Sequence, residues 1–182
     1  MKRQALESAI LFASTAHEGQ WREGSEPQPY ITHPLDVLDK LQSIGGIQDE
    51  TILVAAVLHD TLEECEVTYS EILGHFGMEV ADLVKELTWY EPTAKEREGL
   101  SKEEVWRLRA DILLSEVEKM SNQAKTIKLA DRISNIEEAK RVKLGAKLER
   151  YVWQTQRFLD AIPRDVNPAL WDELAAQISR PS

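Results

Sequence analysis

The run Asp49-Glu50-Thr51-Ile52-Leu53-Val54-Ala55-Ala56-Val57-Leu58-His59-Asp60-Thr61-Leu62-Glu63-Glu64 sets seven apolar residues between a helix-capping aspartate and a string of imidazole and carboxylate groups. Asp49 has the side chain of an N-cap, and the pattern through Leu53, Ala56 and Val57 predicts a helix reaching His59-Asp60. Neither Gly nor Pro interrupts Thr61-Leu62, so the helix is free to continue through Glu64; a helix that ends in a loop at His59-Asp60 is equally compatible. In the first case His59 and Glu63, and likewise Asp60 and Glu64, share a face at a spacing of four.

Outward from this run the helical signals continue and strand signals are nearly absent. Leu6, Ala9, Ile10, Ala13 and His17 recur at helical spacing over residues 4–18. Residues 18–32 hold Gly19, Gly24, Pro27 and Pro29 and read as a loop. Pro34 predicts a helix start just after His33, with Gly45-Gly46 as its end. Thr68-x-x-Glu71 and Ser101-x-x-Glu104 are capping boxes, and Gly77 divides two short helices. Residues 89–100 are polar and irregular, with Pro92 and Gly99, and read as a mobile loop near a site mouth; helices are expected over 102–120, 124–139, 147–162 and 168–178. The expected fold class is all-α, with eight or nine helices in a single compact domain over residues 1–182.

Composition agrees. A chain of 182 residues is long enough for one full core and short for two. With 42% hydrophobic and 30% charged residues it is neither disordered nor fibrous. No apolar run approaches the roughly 20 residues that span a bilayer, and the N-terminus carries no signal-peptide pattern. Cys65 is the only cysteine, which excludes an internal disulfide and fits a cytoplasmic location. It reads as an incidental small residue, not as a nucleophile. A net charge of −10 argues against nucleic-acid polymers as partners. The stretch from Lys125 to Arg150 nevertheless carries a local balance of +4, read either as a solvated mixed face or as an anion-attracting rim.

Two further blocks complete the chemistry: Tyr30-Ile31-Thr32-His33-Pro34 and Ile127-Lys128-Leu129-Ala130-Asp131-Arg132-Ile133-Ser134-Asn135. Asp60 and Asp131 both follow apolar runs, where a carboxylate is costly unless it is paired or binds metal. His33, His59, Asp60 and Asp131 make a mixed nitrogen/oxygen donor set for one divalent cation, with coordination positions left for water and substrate. Such donors suit manganese, iron or zinc alike, and the set points to metal-assisted hydrolysis. His17 reads as a loop-positioning residue, and His75 receives no function.

The blocks His17-x-Gly19-Gln20-x-Arg22, Pro29-Tyr30-Ile31-x-His33-Pro34, His59-Asp60-Thr61-Leu62-Glu63-Glu64, Phe76-Gly77 and Lys128-Leu129-Ala130-Asp131-Arg132-x-x-Asn135 occur in that order. In combination they resemble the HD superfamily of metal-dependent phosphohydrolases, in particular the RelA/SpoT hydrolase domain and the MESH1-type small alarmone hydrolases. The resemblance implies a single HD domain and one manganese ion held by His33, His59, Asp60 and Asp131. It implies a small-molecule nucleotide substrate, guanosine 3′,5′-bis(diphosphate) (ppGpp), that loses its 3′-pyrophosphate. It further implies catalytic roles for Glu63 and Glu64, and substrate contacts for Arg22 and Asn135. Arg141 and Lys143 are candidates for distal phosphates, and no synthetase extension is expected after Ser182. The chain departs from the family pattern at Glu23, where lysine is usual, in the loop before Tyr30, which is longer, and at Glu64, where aspartate is usual. Two alternatives stay open: hydrolysis of another nucleotide phosphoester, and a nucleotide-binding sensor with impaired turnover.

Overall fold

A computed structural model describes residues 2–22 and 27–179; Glu23 and the lengthened loop at 24–26 lie outside the described residues. Among the described residues the helices are α1 (Lys2–Ala16), α2 (Thr32–Ser43), α3 (Glu50–Leu58), α4 (Thr61–Glu64), α5 (Tyr69–Phe76), α6 (Met78–Leu87), α7 (Lys102–Lys119), α8 (Asn122–Val142), α9 (Ala146–Ala161) and α10 (Pro168–Ser179). A 3₁₀ turn at Arg164–Val166 precedes α10, and one isolated bridge joins Trp21 to Pro29. The all-α expectation holds.

Helix α3 organises the packing. The Asp49 side chain accepts a hydrogen bond from the Ile52 N–H at 3.2 Å and so satisfies one of the donors that a helix start leaves unpaired. Every residue from Ile52 to Leu58 is buried. A helix apolar on all sides must be surrounded, and α1, α2, α6 and α8 pack around it. Helix α8 is the second axis: Ile127, Leu129, Ala130, Ile133 and Ile136 are fully buried, and it packs against α2, α9 and α10 as well as α3 and α6. One apolar core runs through residues drawn from α1 to α10.

Two boundaries bear on the sequence reading: the end of α3, which it left open, and the start of α2, which differs. Helix α3 ends at Leu58, so the loop-ended alternative is the one realised: His59 and Asp60 form a turn, and Asp60 stands at the N-cap position of the separate four-residue α4. His59 and Glu63 are therefore not stacked on one continuous helix. Helix α2 starts at Thr32, which puts His33 inside its first turn and not before it. The Tyr30 carbonyl accepts from the His33 N–H, a turn closure that begins the helix two residues ahead of Pro34. Both capping boxes form, with Thr68 and Ser101 accepting from the backbone N–H three residues on and Glu71 and Glu104 reaching back. Gly77 breaks the chain between α5 and α6 with φ of +84°, a backbone state open to glycine without strain.

Leu58 is the last apolar residue before the site and is fully buried. Leu58→Ala is expected to cost about 2–5 kcal/mol of unfolding free energy, read by chemical denaturation; a loss under about 1 kcal/mol would mean that the end of α3 is not anchored by this side chain.

Candidate metal centre

The end of α3, the first turn of α2 and the middle of α8 meet at one point. His59 leaves the end of α3 with its Nδ1–H donating to the Ala56 carbonyl at 2.7 Å, one of the carbonyls a helix C-terminus leaves without a partner. That bond leaves Nε2 as the nitrogen that faces the interior, free to bind metal once its proton is lost. Nε2 lies 3.0 Å from Asp60 Oδ1 and 3.9 Å from Asp131 Oδ1. It is buried without a hydrogen-bond partner, because the Asp60 contact is close but not directed. His33 repeats the arrangement: Nδ1 lies 3.1 Å from Ser134 Oγ, while Nε2 is 3.2 Å from Asp131 Oδ1 and 3.6 Å from Asp60 Oδ2. One ligand atom each from His33, His59 and Asp60 falls within 4.8 Å of the others. Asp131 approaches both imidazoles from α8, and its Oδ1 also accepts from the Asn135 amide.

The electrostatics follow from burying this set. Burial alone would push the carboxyls of Asp60 and Asp131 up. The imidazoles of His59 and His33 and the Lys128 ammonium outweigh that and hold both well below the usual carboxylate range. For His59, burial alone would lower the pKa, but Asp60 and Asp131 raise it to about 9. The cluster therefore favours positive charge at its centre. Lys128 reaches it from the side, 3.7 Å from Asp131 Oδ2. A partnerless buried imidazole nitrogen aimed at two ionised carboxylates fits a divalent cation, and the mixed N/O donors fit an ion of the manganese, iron or zinc kind.

The other sequence candidates arrange around this point. Glu63 reaches solvent, and its Oε2 accepts from the Trp89 N–H at 3.1 Å, which brings the irregular 89–100 stretch against the acidic turn. Desolvation by the surrounding protein still raises the Glu63 carboxyl, with Asp60 and Glu64 adding to the rise. Glu64 is exposed. Arg22 pairs with Glu138 on α8, not with Glu18, one of the acids adjacent in sequence. Both line a cleft of about 240 Å³ with Trp21, Tyr30, His33, Asn135, Val142 and Lys143.

The basic stretch is mostly absorbed by the fold. Lys128 faces Asp131, and Arg132 is buried over the Tyr151 ring at 4.2 Å with a hydrogen bond to Thr155. Lys140 bonds Gln177 on α10. Of these, Lys143 lines the cleft and Arg141 does not. Burial raises the Cys65 thiol, in keeping with an unactivated cysteine.

Two contributors carried no sequence signal for their role. Tyr30 donates its hydroxyl to Asp60 Oδ2 at 2.8 Å, and Ser134 holds His33. Ser134 stands one residue before Asn135, and neighbours on a helix do not share a face, so only the docking of α2 on α8 reveals its partner.

An all-α fold that gathers His, His-Asp and Asp onto one buried point defines a class: a metal-dependent hydrolase of the HD type. A family model described as HD domain matches residues 9–157, and the chain belongs to this family. The guanosine-3′,5′-bis(diphosphate) 3′-pyrophosphohydrolase MESH1 of Xenopus tropicalis is 39% identical over 133 residues, 73% of this chain and 68% of that protein. Its Homo sapiens counterpart is 38% identical over 138 residues, 76% and 70% of the two chains. A solved structure described as a metazoan ortholog of SpoT that hydrolyzes ppGpp superposes with a TM-score of 0.81 at 26% identity, over 96% of this chain and 94% of that one. A Listeria monocytogenes structure gives 0.61 at 27% identity, over 86% and 98%.

A cation that binds His59 must displace its proton at any pH below about 9. Manganese affinity should therefore strengthen by about tenfold per pH unit between pH 6 and 8, with calorimetric proton release close to one. An affinity flat across that window would take His59 out of the ligand set. Asp60→Ala should lose metal retention altogether, as read by elemental analysis after gel filtration.

Proposed function

We propose that this chain hydrolyses the 3′-pyrophosphate of guanosine 3′,5′-bis(diphosphate), acting as an alarmone hydrolase in the cytoplasm with one HD-type unit over residues 1–182. The carrying observation is the gathering of donor atoms from His33, His59 and Asp60, with Asp131 Oδ1 against both imidazoles, beside a cleft that His33 lines together with Arg22, Asn135 and Lys143. The kinship with proteins named for this reaction supports it. His33, His59, Asp60 and Asp131 would hold the ion, with manganese the expected metal. When bound, a divalent cation supplies Lewis acidity toward a phosphoryl oxygen and acidifies coordinated water.

The protein's own part divides by position. Glu63, with its raised carboxyl, is suited to orient the attacking water and accept its proton. Water adds to the phosphorus nearest the ribose 3′-oxygen, the bond from that phosphorus to the 3′-oxygen breaks, and the 3′-hydroxyl gains a proton as pyrophosphate leaves. Glu64 assists that proton movement from the same turn. Arg22 neutralises phosphate charge, exchanging its Glu138 partner for a phosphoryl oxygen. Asn135 holds Asp131 through its amide and lines the cleft in which the nucleotide would sit.

The direct test is turnover of a panel of phosphorylated nucleotides by pure protein with Mn²⁺. Pyrophosphate released from the tetraphosphate is the expected product. Orthophosphate released only from other nucleotides would replace this substrate with another phosphoester. Glu63→Gln should keep the metal and lose about 10²–10⁴-fold in kcat; undiminished turnover in that variant would strip Glu63 of its role.

A further inference from the structure

The block His17-Glu18-Gly19-Gln20 has no part in the chemistry above, yet its side chains reach both halves of the site. Gln20 lies just past the end of α1, where Gly19 turns the chain with φ of +80°. The Gln20 amide Nε2 donates to the carbonyl of Glu64 at 2.7 Å, across 44 residues of sequence. That carbonyl closes the four-residue α4 and has no continuing helix to bond it. The other end of the amide, Oε1, is 2.8 Å from His17 Nδ1. Only this orientation gives the Glu64 carbonyl a donor, so His17 Nδ1–H donates to Gln20.

The same residue governs Tyr30. The Gln20 carbonyl accepts from the Tyr30 N–H at 3.0 Å, and the His17 ring stacks on the Tyr30 ring with centroids 4.6 Å apart. Tyr30 in turn donates its hydroxyl to Asp60 Oδ2. One glutamine thus ties the Tyr30–Asp60 contact to the turn that carries Glu63 and Glu64. The α4 turn has two other ties, the buried Thr61 hydroxyl donating to the Leu58 carbonyl and the Trp89 N–H on the Glu63 carboxylate, while Leu62 is half-buried and Glu63 and Glu64 are exposed.

The geometry points to Gln20, braced by His17, as a positioning residue that sets the acidic turn Glu63-Glu64 relative to Asp60. The turnover consequence rests on the hydrolase reading above. The positioning itself does not, because it is a property of the metal-free fold. Catalytic alignment tolerates little error, and a displacement of about 1 Å far from the chemistry can cost about 10²-fold. Removing the clamp should therefore act on rate and not on binding.

The test compares Gln20→Leu, which keeps bulk, and Gln20→Ala with the parent protein. In metal-free protein, amide hydrogen exchange over residues 61–65 should quicken about fivefold or more, with exchange in α8 unchanged and little change in melting temperature. With Mn²⁺ and the preferred nucleotide, kcat should fall about 10- to 100-fold, while KM and Mn²⁺ affinity stay within about twofold. Unchanged exchange in both variants would overturn the proposal. So would accelerated exchange with kcat intact, or a kcat loss that excess Mn²⁺ restores. If the parent protein turns over no phosphorylated nucleotide, the substrate reading falls and the exchange data alone decide the clamp.

Discussion

Two imidazoles and two ionised carboxylates meet at the inner end of a helix whose last seven residues are all buried. Isolated charges there would be prohibitively costly. The fold lowers that cost by facing carboxylates with imidazoles and by handing each outer ring nitrogen to a fixed partner, the Ala56 carbonyl for His59 and the Ser134 hydroxyl for His33. What stays unsatisfied is the inner nitrogen of His59. The rest of the architecture serves this arrangement: α3 and α8 are rigid because they are buried, and rigidity keeps the donors converged.

The site sets a largely buried donor group beside an exposed acidic turn. The donors come from interior helices. The acidic turn that would act on water is a short, exposed helix, held from outside by the Trp89 N–H on one side and the Gln20 amide on the other. The Arg22 guanidinium that would meet phosphate is largely buried in the cleft and already engaged with Glu138.

The charge pattern shows how sequence proximity and spatial role part company. The segment from Lys125 to Arg150 is locally basic, but helical geometry turns its cations in several directions. Lys128 points inward to Asp131, Arg132 sits over the Tyr151 ring, Lys140 reaches α10, and Lys143 lines the cleft. Net charge along a helix is a linear count, and its effect on an anion depends on which face each side chain occupies.

Sequence alone determined the helical class, the caps at Asp49, Thr68 and Ser101, the break at Gly77 and the identity of the four candidate donors. All of these rest on short-range rules: periodicity, capping chemistry and the cost of a carboxylate beside an apolar run. Tertiary structure decided the rest. Whether α3 ran through His59 depended on a side chain capping its own helix, a choice local propensity left balanced. The roles of Tyr30, Ser134, Glu138 and Gln20 depended on partners 30 to 116 residues away. Hydrogen bonds at such separations exist only after helices dock, and no spacing rule along the chain encodes them.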